Sequence, residues 1–145
     1  MAGVNDNLPL TMKRHGASIH SVGSYQVSGV PWISGSDTQA AGAEVKYSFP
    51  YVAKSVTIVN LSTTTVRLHF NSNDDPGVAS GLHYMELDSD EDSYTFNARC
   101  KEIYVSAPSD GAGVRKYRVV AELTGIPTGS MFILTGSGLT TTDGT

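Results

Sequence analysis

From Ala43 to Leu123 apolar and polar residues alternate with a period of two, and no segment carries a helical period. Val45, Tyr47 and Phe49 share one side of an extended chain while Glu44, Lys46 and Ser48 share the other, which predicts a half-buried strand that Pro50 ends. Ser55–Leu61 is β-branched on both sides, as in a central strand. Val66, Leu68 and Phe70 alternate with Arg67, His69 and Asn71; strands are also expected over Leu82–Leu87, Tyr94–Ala98 and Ile103–Val105. Tyr117, Val119, Ala121 and Leu123 mark what should be the longest clean strand. Turn residues separate these runs: Asn60–Thr65, Asn73-Asp74-Asp75-Pro76-Gly77, Asp88–Asp92 and Ser109–Gly113. Short strands spaced about ten residues apart predict an all-β fold, an antiparallel β-sandwich or jelly-roll-like domain.

The first part of the chain has a different texture. Gly16–Gly42 is rich in Gly, Ser, Ala and Thr, and its one dense apolar knot is Val30, Pro31, Trp32 and Ile33. So few apolar residues cannot build a core of their own. The expected organisation is an extended N-terminal arm over 1–42, with short strands near Tyr25–Val27 and Trp32–Ile33, then a β-sandwich over 43–126. A C-terminal strand and polar tail complete it over 127–145, with Met131–Leu134 adding to a sheet edge. The arm must lie on its own domain or on a neighbouring chain, which makes Val30, Pro31, Trp32 and Ile33 the candidate partner-binding residues.

Charge and composition narrow the function classes. With 10 basic against 14 acidic residues the net charge is −4, so phosphate neutralisation is not the chain's business and no nucleic-acid partner is expected. Arg115, Lys116 and Arg118 are the nearest thing to a basic patch and read as a solvated strand face that also carries Glu122. The single cysteine, Cys100, excludes an intrachain disulfide. Asn5, Asp6, Lys13 and Arg14 interrupt the first twenty residues, so neither a secretory leader nor a membrane partner is expected. The Asn60-Leu61-Ser62 sequon then reads as a strand end.

No catalytic or cofactor constellation emerges. Asp88, Asp90 and Asp92 have the alternate spacing that opens a calcium loop, with Asp74 and Asp75 able to join from a neighbouring loop. Ser93, however, stands where that loop needs glycine and Arg99 where it needs a bidentate glutamate, so a solvated hairpin turn is favoured over a metal. His15, His20, His69 and His83 lack zinc-ligand spacing and are expected at the surface. Cys100 lies between Arg99 and Lys101, cations that would activate an exposed thiol, but a buried strand cysteine is the commoner state. There is no nucleophile elbow and no phosphate loop. No enzyme activity, cofactor or metal is expected.

The arm Ser21–Gly29 with Pro31–Ser36, the runs Val66–Ser72, Leu87–Ser93 and Cys100–Ser106, then Tyr117–Ile126 and Leu134–Leu139, together resemble small virion structural proteins of tailed bacteriophages, particularly marine cyanobacterial myophages. The resemblance runs from about Ser21 to Leu139. It implies a many-copy virion component assembled in the host cytoplasm. The leading expectation is a capsid decoration or cement protein that binds the major capsid protein or other virion proteins, as a homo-oligomer with a trimer favoured. The alternatives are a tail, neck or fibre adaptor, and a carbohydrate-binding host-attachment module using Trp32 and exposed tyrosines.

Overall fold

The computed structural model describes residues 28–72, 81–88, 92–109 and 113–132, together with Ile19, Val22, Gly23, Leu134, Gly138 and Leu139. Among these residues seven strands form one antiparallel sheet: β1 (Val30–Gln39), β2 (Glu44–Asn60), β3 (Val66–His69), β4 (Met85–Leu87), β5 (Ser93–Phe96), β6 (Cys100–Ser106) and β7 (Arg115–Pro127). Their order is β1-β7-β2-β6-β3-β4, and β5 also pairs with β2. No described helix is long and apolar enough to cross a membrane.

The 17-residue β2 turns this sheet into a sandwich. Its first half pairs with β6, Tyr47 opposite Ile103, while its second half lies between β7 and β5, with Ile58 opposite both Val119 and Tyr94. The inward side changes at Val52 and Ala53: Tyr47 and Phe49 turn inward before it, Val56 and Ile58 after it. One layer is therefore β1-β7-β2-β5 and the other β2-β6-β3-β4, closed on a common core of Val56, Ile58, Val66, Leu68, Ile103, Val105, Tyr117, Val119 and Ala121. Each Val, Leu or Ile among them contributes about 1.5–3 kcal/mol when fully buried, more than a typical exposed ion pair. The expected all-β, antiparallel, jelly-roll-like sandwich is the fold observed.

Several local expectations are corrected. Pro50 does not end its strand; β2 passes through it where the ladder to β6 is interrupted, between Ser48 and Ala53, so the missing N–H costs no ladder bond. The longest strand is consequently β2, not β7. Leu82 has φ +59°, outside the extended region, and the strand expected from there starts only at Met85. Residues 30–39, expected in the arm, are the edge strand β1, paired with β7 from Val30–Leu123 to Gln39–Arg115. The 42/43 boundary therefore does not separate arm from sheet. Glycine makes this pairing possible: a Cβ on Gly35 would lie 2.3 Å from the Tyr117 carbonyl oxygen. Met131 adds to no sheet edge; it is buried with Ile19, Val52 and Ile126 in a second small cluster. The strand expected at 25–27 lies outside the described residues.

One side of the sandwich is sealed by aromatic rings and one hydrogen-bond chain. Trp32 on β1 meets Phe49 edge-on with centroids 4.9 Å apart and Tyr47 at 6.1 Å. Beside it, Tyr47 and Tyr117 share a 2.9 Å hydroxyl contact across the layers.

Candidate functional site

The apolar knot divides between two surfaces. Trp32 stands opposite the buried Ala121 and is packed into the core through Tyr47 and Phe49. Val30, opposite Leu123, is on that same inner side but lies at the end of the layer, where it is 58% exposed. Ile33 stands opposite Val120 on the outer side and is 71% exposed. Adjacent positions along a strand alternate in direction, so Val30 and Ile33 cannot serve one flat partner together. Pro31 is also exposed, opposite Glu122.

The outer side of the β1-β7-β2-β5 layer was not singled out from the sequence. Register aligns Ile33, Val120, Thr57 and Thr95 in one row across its four strands. Thr57 and Thr95 share one hydroxyl–hydroxyl hydrogen bond at 2.8 Å, which ties β2 and β5 together within the row. Arg118 flanks the row on one side, paired with Asp37 at 2.7 Å. Glu122 flanks it on the other and accepts from Ser55 Oγ at 2.9 Å. The available signal was slight: Val120 is the one apolar residue among the outward positions Lys116, Arg118, Val120 and Glu122.

Opposite the side sealed by Trp32, the two layers gape. Tyr94 and Phe96 of β5 face Leu68, Phe70, Tyr84 and Met85 across a cleft of about 390 Å³, with His83 and Gly138 in its wall. Phe70 and Phe96 meet edge-on at 5.2 Å. His83 Nδ1 is buried without a hydrogen-bond partner. Among the described residues the cleft's lining is aromatic, with one imidazole and no carboxylate or cysteine.

The groups that resemble catalytic ones are engaged in structure. His69, expected at the surface, is buried and stacks on Tyr104. Its Nδ1–H donates to the Asn71 carbonyl at 2.5 Å, which leaves Nε2 as acceptor for Ser106 Oγ–H at 2.8 Å. Glu44 lies 3.9 Å from Nε2. Burial, the largest influence, lowers the His69 pKa against the opposing pull of its Asn71 bond and Glu44. Ser106 and His69 are both closed to solvent, so this serine–histidine pair has no access to a substrate. Cys100 is buried too, and burial pushes its thiol up to about 12, the reverse of activation.

The remaining candidates also resolve. Arg115 belongs to no solvated patch: it is buried, its guanidinium donating to the carbonyls of Gly113 at 2.9 Å and of Pro108 and Thr65 at 3.4 Å. Asn60 ends β2 fully buried, donating to Thr64 and Leu87 carbonyls and accepting from Ser62. Its amide is thus closed to modification. Among the described residues no group of three or more His, Cys, Asp or Glu side chains could hold a metal ion. Asp74, Asp75, Ser89, Asp90, Glu91, His15 and His20 lie outside the described residues.

No protein-family model matches the chain, and no curated protein matches it. Among solved structures it is similar to a cupin superfamily protein from Desulfitobacterium hafniense DCB-2, at 12% identity over 76% of this chain and 95% of that one, TM-score 0.34. A cupin domain from Bordetella pertussis Tohama I shows 10% identity over 67% and 94%, TM-score 0.33. PirA shows 10% identity over the same shares, TM-score 0.30. Likeness at this level carries no argument about family or activity.

Proposed function

We propose that this chain is a non-enzymatic structural protein of a tailed-phage virion, a decoration or cement protein that binds the shell of the major capsid protein as a homo-oligomer. The observation that supports this most is the division of labour on β1. Trp32 anchors the strand in the core, while Val30 stands 58% exposed where the preceding residues enter the sheet. A surface-binding protein needs such a point, where a sequence that builds no core of its own joins a rigid support. The chemistry agrees: His69, Ser106, Cys100 and Arg115 are all buried within the structure they hold.

Sedimentation of purified chain with capsids tests the reading. Val30→Asp should weaken capsid binding by about tenfold or more while leaving the melting temperature within a few degrees of the parent. Capsid binding unchanged by Val30→Asp, or a parent protein that binds tails and not capsids, would overturn it.

A further inference from the structure

The outer side of the β1-β7-β2-β5 layer has the properties of a contact surface, and they do not depend on the virion reading. Ile33 and Val120 stand directly opposite each other on neighbouring strands, 71% and 38% exposed. Thr57 and Thr95 continue their row, one hydroxyl donating to the other at 2.8 Å, so that covering the pair leaves a single hydroxyl proton to be met at the rim. On β7 the charges bounding the row have opposite sign: Arg118, which also pairs with Asp37 of its own copy at 2.7 Å, comes two residues before Val120, and Glu122 comes two residues after it.

We infer that this face joins two copies of the chain about a two-fold axis passing through the Ile33–Val120 row. A two-fold through Val120 lays β7 of one copy antiparallel over β7 of the other. That operation carries Arg118 of each copy to Glu122 of its partner and sets the apolar rows against each other. A patch that complements itself under rotation is what an isologous interface requires. The reversal of charge about the row is what points to a second copy, since an unrelated partner would not require it. The charges fix register and exclude wrong alignments, while the covered apolar row provides the attraction.

The edge of the layer is less suited to this role. Pro31 lacks the N–H that an added strand would use, and the β1–β7 register shifts between Ser36 and Gln39. Face-to-face packing leaves that edge untouched and places the layers about 10 Å apart, within reach of an arginine and a glutamate side chain.

Mass measurement by light scattering on the full chain, at up to about 100 µM so that even a weak pair is populated, should give two copies. Arg118→Glu alone sets like charges against Glu122 of the partner, and Glu122→Arg alone sets them against Arg118. Each variant should pair at least about tenfold more weakly while the copy stays folded, the Arg118–Asp37 pair that Arg118→Glu also removes being solvent-exposed and contributing little to stability. Mixed one to one, they should recover the two-copy mass, because each contact then meets its opposite charge. Should either charge variant unfold, Val120→Lys provides the independent disruption. A parent of one or three copies, a pair indifferent to these substitutions, or a mixture that stays single would overturn the inference.

Discussion

The Tyr117 hydroxyl donates to Gln39 Oε1 at 2.5 Å, and this bond organises the sealed side of the sandwich. With the one tyrosine proton committed there, the 2.9 Å contact to Tyr47 must run from the Tyr47 hydroxyl to the Tyr117 oxygen. Gln39 passes the connection on, its Nε2 donating to the carbonyls of Ala43 at 2.9 Å and Val105 at 3.1 Å. The end of β1, the core strand β7 and the opposite layer are thereby joined through one buried amide. Burial, reinforced by Tyr47, raises the Tyr117 pKa above its ordinary range, so the phenol keeps its proton.

Tyr117→Phe keeps the ring and removes the donor, leaving Gln39 Oε1 buried without this partner. Denaturant unfolding should show a loss of about 1–3 kcal/mol. A loss below about 0.5 kcal/mol would mean that water or a shifted side chain replaces the bond.

Trp32 and Ile33 are neighbours in sequence with opposite roles, and their truncation should separate them. Trp32→Ala removes the edge-on contacts to Phe49 and Tyr47 and should cost about 2–4 kcal/mol. Ile33→Ala, on the exposed side, should change the stability of the isolated copy by no more than about 0.5 kcal/mol. Unfolding curves at low protein concentration measure both; equal losses would contradict the assignment of Trp32 alone to the core.

His69 supplies a pH dependence of definite sign. Its folded-state pKa lies below the ordinary value of 6.5 because burial disfavours the cation. The unfolded state therefore takes up the proton first. The stability is fully present above pH 6.5 and is lost as pH falls from there through the lower folded value. His69→Gln should flatten that part of the stability–pH curve, whatever its effect at neutral pH. A curve of unchanged slope in the variant would show that other groups carry it.

Cys100 should be inert. Buried and with its thiol pushed up to about 12, it should resist alkylation in the native protein at pH 8 and react fully once the chain is unfolded. Rapid native labelling under the same conditions would show that β6 opens or that the thiol is reached from solvent.

Much of the fold was legible in the sequence wherever side-chain alternation reports burial directly. Tyr117, Val119, Ala121 and Leu123 turn inward as their spacing requires, and so do Tyr47 and Phe49. Buried polar residues were not legible. His69, Arg115 and Asn60 belong to residue types that read as surface, and each has a partner far along the chain: the Ser106 hydroxyl, the Thr65 carbonyl and the Leu87 carbonyl. The bond from Gln39 to Val105 spans 66 residues. Trp32 had no visible home because its pairing strand lies at the other end of the chain, Trp32 opposite Ala121. The Ile33–Val120 row was hidden for the same reason: only register brings the two together. The Asp88–Asp92 segment is described only at its ends, where Asp92 Oδ2 accepts from the Asp88 N–H at 3.2 Å.

The copy number of this chain in purified virions, measured by quantitative mass spectrometry against the major capsid protein, tests the proposed role most directly. A decoration protein spread over the shell predicts hundreds of copies, in fixed ratio to the capsid subunit. Six or twelve copies would assign the chain to the tail or neck, and its absence from the particle would contradict the account altogether.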